Sequence, residues 1–431
     1  ICCHTGGSLA FGKDRNLFIS TGDNSTPFDE PNQKYVSNGF SPKDAREGHE
    51  QYDAQRSSGN TNDLRGKVLR ITVKEDGTYA IPEGNLFAKG TEKTRPEIYV
   101  MGNRNPYRIS IDKKNGFLYW GEVGPDANKD SLNRGPRGYD EVNQARKAGF
   151  FGWPYFVGNN YAYHAYNYET GEMGPAYDAK KPINDSRNNT GLRELPEAMP
   201  AFIWYPYAES PDFPQVGSGG RNAMAGPIYY TDMFPQETRY PDYYNGKLFV
   251  YDWIRGWFKA VTMLPNGDFD KMEPFMGGVK FNSPIDMEVG PDGKFYVLEY
   301  GSGWFSKNPD AGISRIDFVP ASADQAAHKG TEGDASVAGP MGHQQGSKPK
   351  GEALIEASDC KACHAIDKKS VGPSYVEIAK HYKDNKDAHS ILVKKIKNGG
   401  SGVWGEVAMA AHPNMKDADL DEIVTWILSH K

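Results

Sequence analysis

The chain has 431 residues, enough for about two or three domains, and a formal net charge of −6 with both signs interspersed. No basic patch of the kind that holds nucleic acid is present, and no apolar run approaches the roughly eighteen residues that a membrane helix needs. Hydrophobic residues make up 38%, and glycine (48) and tyrosine (25) are plentiful, which suits a β-rich protein with many tight turns better than a helical one.

The predicted elements begin with a recurring phrase. Leu9 to Asp23, Arg108 to Glu122 and Ile285 to Glu299 each read as an alternating strand, a polar Asp/Asn/Gly turn and a second alternating strand. That pattern is a β-hairpin. Single strands of matching character lie between them: Gly66–Ile71, Trp257–Thr262 and Ile313–Phe318. Hairpins with flanking strands, repeated every several tens of residues, predict the blades of a β-propeller over residues 1–320. A plain β-sandwich is the alternative, and it explains the recurring turn phrase less well. The stretch is short for a complete ring and starts mid-motif at Ile1, so further N-terminal sequence is expected. The segments Thr26–Asn62 and Tyr155–Arg221 are long, polar and rich in aromatics. Ordered loops of this kind either carry binding residues or cover one face of the scaffold.

Residues 321–350 are dominated by Ala, Gly, Gln, Ser, Lys and Pro without an apolar period, the composition of a flexible linker. Residues 351–431 switch to a helical period. Helices are predicted over Ala353–Ser358, Tyr375–Tyr382 and Ile391–Lys397. A last one is capped by Asp417, with Leu420, Ile423, Val424, Ile427 and Leu428 on one face.

Within that last domain stands Cys360-Lys361-Ala362-Cys363-His364. Two thiols at this spacing, followed at once by histidine, are what covalent attachment of haem c requires, and the histidine is then in reach of the iron. A zinc site would need two more Cys or His ligands at matched spacing, and the other cysteines, Cys2 and Cys3, lie at the far end of the chain. Attachment of this kind happens outside the cytoplasm, so a periplasmic or extracytoplasmic location is expected, with a membrane anchor possible on sequence preceding Ile1. Candidates for the second iron ligand are Met409, Met415, His381, His389, His412 and His430.

The same domain resembles the class I cytochromes c of the small bacterial c551-like type. The resemblance rests on the CxxCH pentad, Val371-Gly372-Pro373, the Gly399–Gly405 segment with Trp404, Met409 and a closing helix with Trp426. It implies an all-α fold, selects Met409 as the second ligand, and implies that the Pro373 carbonyl orients His364. The family's prolines after that Met are replaced here by Ala410-Ala411-His412-Pro413.

Residues 1–320 resemble the glucose/sorbosone dehydrogenase family, six-bladed propellers of which several use pyrroloquinoline quinone (PQQ) and Ca2+. The matching phrases are His4–Gly12, Asn62–Arg70, Gly102–Pro106, Gly121–Asp126, Tyr139–Asn143, Gly152–Pro154 and Ala223–Pro227. The resemblance implies that His4 is the catalytic base, that Arg104 bonds the quinone, and that the backbone carbonyls of Gly124 and Pro125 hold the calcium. The late basic residues that bind the tricarboxylate depart from the pattern. Arg255 stands next to one expected position, Ile285 occupies another, and Arg221 is the residue expected to compensate. By analogy with other quinoprotein dehydrogenases, Cys2 and Cys3 are either a vicinal disulfide flooring the site or two free buried thiols.

Three functions are compatible with these residues. A sugar or polyol dehydrogenase would pass electrons through haem c to a redox protein of the respiratory chain. A non-catalytic electron-relay subunit would have a degenerate cofactor pocket. A Ca2+-dependent, lactonase-like hydrolase would have no use for a haem.

Overall fold

The computed structural model describes residues 4–30, 32–303, 307–319, 349–356, 358, 360, 364–369, 372–409, 411, 412 and 415–430. It divides into two compact units. One comprises Ile1–Glu299 with Gly312–Ile316, the other Tyr300–Ala311 with Asp317–Lys431. Residues 321–348 of the expected linker lie outside the described residues, as do Cys2, Cys3 and Cys363. Among the described residues no helix is long and apolar enough to cross a membrane.

The first unit is built of β-sheet. Strands β1 (Gly6–Phe11), β2 (Asn16–Thr21), β3 (Lys67–Val73), β4 (Tyr79–Ala80) and β5 (Ile98–Met101) join in one antiparallel sheet in the order β1-β2-β3-β5, with β4 paired on β3. Next come β6 (Pro106–Ile111), β7 (Leu118–Glu122), β8 (Asp140–Ala145) and β9 (Gly149–Phe150); β9 returns to pair parallel with β5. Short pairs β10 (Phe156–Val157) with β11 (Tyr161–Ala162) and β12 (His164–Tyr166) with β13 (Met173–Ala176) lie in the first half of the long second loop. β14 (Ile203–Tyr205) completes the sheet β14-β8-β7-β6. A four-stranded meander follows in chain order: β15 (Ala223–Ile228), β16 (Leu248–Asp252), β17 (Phe258–Met263) and β18 (Phe269–Phe275). The last sheet is β19 (Pro284–Val289), β20 (Phe295–Glu299) and β21 (Gly312–Ile316).

All three predicted hairpins form. Leu9 faces Ile19 in β1–β2, Ile109 faces Trp120 in β6–β7, and Met287 faces Val297 in β19–β20. Sheets pack through their apolar faces, and Tyr119, Val142, Ile203, Ala223, Val250 and Val261 belong to one buried cluster that unites β6–β8 and β14 with the meander. A polar group buried between sheets costs free energy unless it is hydrogen-bonded. In β8, buried along its whole length, Gln144 donates to the Tyr119 hydroxyl at 2.7 Å and Asn143 to Glu141 at 3.0 Å.

The second unit is helical: α1 (Lys350–Glu356), α2 (Tyr375–Tyr382), α3 (Ala388–Asn398) and α4 (Asp417–Leu428), with a hairpin of β22 (Gly400–Gly402) and β23 (Gly405–Met409) between the last two. The structure moves three sequence boundaries. The first helix begins at Lys350, inside the expected linker, and ends at Glu356. The third starts earlier, at Ala388. Asp417 sits in the first turn of α4, whose cap position is Lys416, so its charge meets the helix N-terminus without a capping bond. α2 has a full capping box: the Glu377 amide donates to the Ser374 hydroxyl at 3.1 Å, and the Ser374 amide donates to Glu377 at 2.8 Å. Leu420, Ile423, Val424 and Ile427 of α4 form the core with Tyr375, Ile378, Leu392 and Ile396.

Candidate functional site

In the first unit, the turn after β2 brings Asp23 under His4. His4 Nδ1 lies 2.9 Å from Asp23 Oδ1 and 3.3 Å from the Ser25 hydroxyl. Asp23 is fully buried; its other oxygen accepts from Trp153 Nε1 at 2.8 Å, and it also accepts the Ser25 amide at 2.8 Å. Burial alone would raise the Asp23 carboxyl, but the adjacent His4 and the Ser25 amide outweigh it and hold the group below the usual carboxylate range. The carboxylate therefore stays ionised and fixes the imidazole with Nδ1 toward it, leaving Nε2 as the nitrogen that can take a proton. Burial, then the neighbouring Arg104, push the His4 pKa below its ordinary value, and Asp23 partly opposes them. At neutral pH the ring is an uncharged base.

Arg104 is held beside this pair by backbone and side chain alike. Its carbonyl accepts the Asp23 amide at 2.8 Å, and its own amide donates to Glu122 Oε1 at 2.6 Å. Its guanidinium donates to the Val123 carbonyl at 2.9 Å and to Asp126 at 3.3 Å. His4, Arg104, Pro125, Asp126, Phe40 and Pro42 line a common small cleft. The loop 26–62 thus contributes one wall of the cleft, one of the two readings its composition left open. Glu122 faces Glu141 across β7–β8; burial raises both, Glu141 to about 7, so this pair carries less than its full charge.

The other expected contacts are arranged differently. The Arg221 guanidinium is buried against the Asp140 carboxylate and the Pro125 carbonyl, and it lies 4.1 Å from the centre of the Tyr207 ring. Asp140 also accepts the amides of Gly124 at 3.0 Å and Ala223 at 2.9 Å. Pro125 therefore presents its carbonyl to a cation of the protein itself. A calcium ion needs that oxygen at about 2.3–2.6 Å, which would place two positive centres side by side. The Pro125 carbonyl as found here does not fit a calcium ion. Arg255 donates to five carbonyls: Gly220 at 2.8 Å, Val216 at 3.1 Å, Gly217 at 2.9 Å, Pro206 at 2.7 Å and Gly219 at 3.1 Å. All its donors shape the 206–220 loop, and none is left for a cofactor. His4 and Arg104, a neutral base and a cation on one cleft, do fit an anionic quinone with a hydroxyl substrate.

In the second unit, His364 Nδ1 donates to the Pro373 carbonyl at 2.7 Å, as the resemblance implied. Its amide bonds the Cys360 carbonyl at 2.9 Å. The ring stacks on Tyr375 at 5.6 Å, and any side chain at Gly372 would collide with it at 2.5 Å. Burial lowers the His364 pKa, against the bond to Pro373, and favours the neutral, metal-binding imidazole. Met409, Met415 and Cys360 pack against the same helical core. Three of the alternative ligands are engaged elsewhere: His381 lies 4.9 Å from Trp404, His389 pairs with Asp421 at 3.8 Å, and His430 bonds the Trp426 carbonyl at 2.9 Å. A thiol, an oriented imidazole and a nearby thioether fit haem c.

Sequence reasoning gave no role to Asp23, Trp153, Asp126 or Asp140. Asp23 closes the first hairpin phrase and Trp153 and Asp140 sit in quoted motifs, yet their partners are 19, 130 and 81 residues away.

The family described as Glucose / Sorbosone dehydrogenase matches residues 2–187, and the family described as Cytochrome c matches residues 349–431. Cytochrome c-552 of Hydrogenobacter thermophilus is 48% identical over 80 residues, which cover 19% of this chain and 81% of that protein. Among solved structures, the PQQ-bound aldose sugar dehydrogenase of Streptomyces coelicolor is 16% identical with a TM-score of 0.38, covering 73% of this chain and 62% of that one. The soluble aldose sugar dehydrogenase of Escherichia coli in its apo-form is 20% identical with a TM-score of 0.36, covering 69% and 61%. The chain spans less than two thirds of the length of these sugar dehydrogenases.

Proposed function

Because the chain belongs to the cytochrome c family through residues 349–431 and carries a glucose/sorbosone dehydrogenase domain over residues 2–187, we propose that it oxidises a sugar or polyol at a PQQ site on a six-bladed β-propeller and passes the electrons through its own haem c to a respiratory redox partner. The observation that carries this reading is the buried His4–Asp23 pair beside Arg104 on one cleft. Bound in their sites, PQQ supplies a two-electron hydride acceptor and haem c a one-electron carrier.

The chain's own residues do the rest. His4 Nε2 takes the proton from the substrate hydroxyl as hydride leaves the carbon that bears it. Asp23 keeps the ring in the right tautomer and stabilises the imidazolium that results. Arg104, itself largely buried, offers a fixed cation for an oxygen that gains negative charge. Cys360 and Cys363 are the thioether anchors, His364 and Met409 the iron ligands, and Pro373 orients His364. The propeller is assigned to 1–320, the linker to 321–350 and the cytochrome domain to 351–431. Haem attachment places the protein in the periplasm or beyond. Cys2–Cys3 is assigned as a vicinal disulfide, which a mass difference of two hydrogens between native and reduced protein would establish.

The relay-subunit reading draws support from Arg255, whose donors all serve carbonyls of the protein. One experiment separates the two. Oxidised full-length protein is loaded with PQQ and its haem spectrum followed while aldoses and polyols are added. Reduction of the haem that needs both PQQ and one class of substrate is expected. A haem that dithionite reduces but no sugar does, with PQQ lost on dialysis, would leave the relay subunit as the answer.

A further inference from the structure

The Pro125 carbonyl, one of the two oxygens expected to hold a divalent ion, already faces a cation. Arg221 reaches it from the segment before β15, and its side chain is almost wholly buried, as is that of Asp140. Its two terminal nitrogens point to different partners, one to the Asp140 carboxylate and one to the Pro125 carbonyl. The approach depends on Gly138. A Cβ there would sit 1.5 Å from the Pro125 oxygen and 2.6 Å from Arg221 Nη2, so glycine alone admits the contact. The position is braced from outside as well. Tyr207 lies under the guanidinium at 4.1 Å and donates its hydroxyl to Asp126 at 3.1 Å, and Asp126 in turn accepts from Arg104. Burial disfavours a charged guanidinium, but Asp140 outweighs it, so the arginine stays ionised.

We propose that Arg221 takes the place of the divalent ion at Pro125: its guanidinium, set between the Pro125 carbonyl and the Asp140 carboxylate, is a permanent cation behind the Pro125 wall of the cleft. The site then holds an anionic quinone without calcium. A guanidinium is planar, always charged and cannot be stripped by chelators. It also presents its charge from a fixed direction, which a loosely coordinated Ca2+ does not. This use of Arg221 rests on the quinone-site reading; its occupation of the cation position does not.

The test keeps those two layers apart. Full-length protein is dialysed to equilibrium against PQQ in EGTA and in millimolar Ca2+, and retained quinone is read by absorbance. Calcium is also titrated calorimetrically into quinone-free protein, both wild type and Arg221→Met. Wild type is expected to retain the same quinone in both buffers and to give no saturable calcium heat. In Arg221→Met, retention in EGTA is expected to fall by about tenfold or more and to recover when Ca2+ is added. Wild-type retention that rises about tenfold with Ca2+ would overturn the proposal. If no quinone is retained in any buffer, the quinone reading fails and calorimetry decides alone: calcium heat only in the methionine variant supports Arg221 as the cation, while heat in wild type, or in neither protein, overturns it. Should Arg221→Met not fold, the wild-type comparison of EGTA with Ca2+ still decides.

Discussion

At the scale of single residues, the chemistry turns on the difference between a histidine and a histidine with a buried carboxylate behind it. His4→Gln keeps the size and loses the base, and substrate-driven haem reduction should fall by about 10²–10⁴ with the dithionite-reduced spectrum unchanged. The pH dependence has a definite sign. His4 titrates below its ordinary value, 6.5, so the base form persists under mildly acid conditions, and activity falls only as pH drops through that lowered value. Asp23 raises the His4 pKa, so in Asp23→Asn the acid limb should move to lower pH while the maximal rate falls; a limb that stays in place would leave Asp23 a packing residue. At the haem, Met409→Ala should lower the reduction potential on the order of 0.1 V, a part of the span that axial ligands command. A potentiometric titration reads it, and an unchanged potential would point to Met415 or His412 instead.

At the scale of elements, the 206–220 loop shows how one side chain substitutes for a strand. Arg255 satisfies five of its carbonyls and stacks 4.8 Å from the Tyr205 ring. Arg255→Ala should destabilise the first unit by about 3 kcal/mol, seen as a lowered midpoint in urea unfolding, because five partly buried carbonyls lose their donors together. The same scale explains what the sequence disclosed. The hairpins β1–β2, β6–β7 and β19–β20 were legible because their turns are polar and most of their strands alternate. β5, β8 and β16 were not, since each is buried on both faces and shows no two-residue period. β8 is the extreme case: Asp140, Glu141, Asn143 and Gln144 carry no strand period, and a buried strand forms from them only with partners elsewhere in the chain. For the same reason His4 and Arg104 could be named from motifs, whereas the engagement of Arg221 and Arg255 could not, because it depends on which carbonyls the fold brings near them. In the helical unit, α2 has the bounds Tyr375–Tyr382 read from the sequence, and the structure shows the Ser374 and Glu377 box that fixes its start.

At the scale of the whole molecule, the proposed function puts electron donor and acceptor in two units of one chain. A tether sets an effective concentration of about millimolar order, so haem reduction by substrate should be first-order and independent of protein concentration. Separate expression of 349–431, which matches free-standing cytochromes over most of their length, with the remainder supplied in trans, should turn it into a concentration-dependent reaction. Stopped-flow traces at several dilutions distinguish the two, and equal rates in both formats would show that the covalent connection is immaterial. The Asp140–Arg221 pair has, finally, a direction in time. Asp140 leaves the ribosome 81 residues before its partner, roughly 4–16 seconds at ordinary rates of synthesis. Until the arginine arrives, closing β8 into the interior would bury a carboxylate that has the Gly124 amide but no cation. The sheet of β6–β8 must then wait for the segment that opens the next one, and the two should lock in one step. In refolding followed by hydrogen exchange, amides of β8 and β15 should gain protection in the same kinetic phase, and a β8 protected well before β15 would break that coupling.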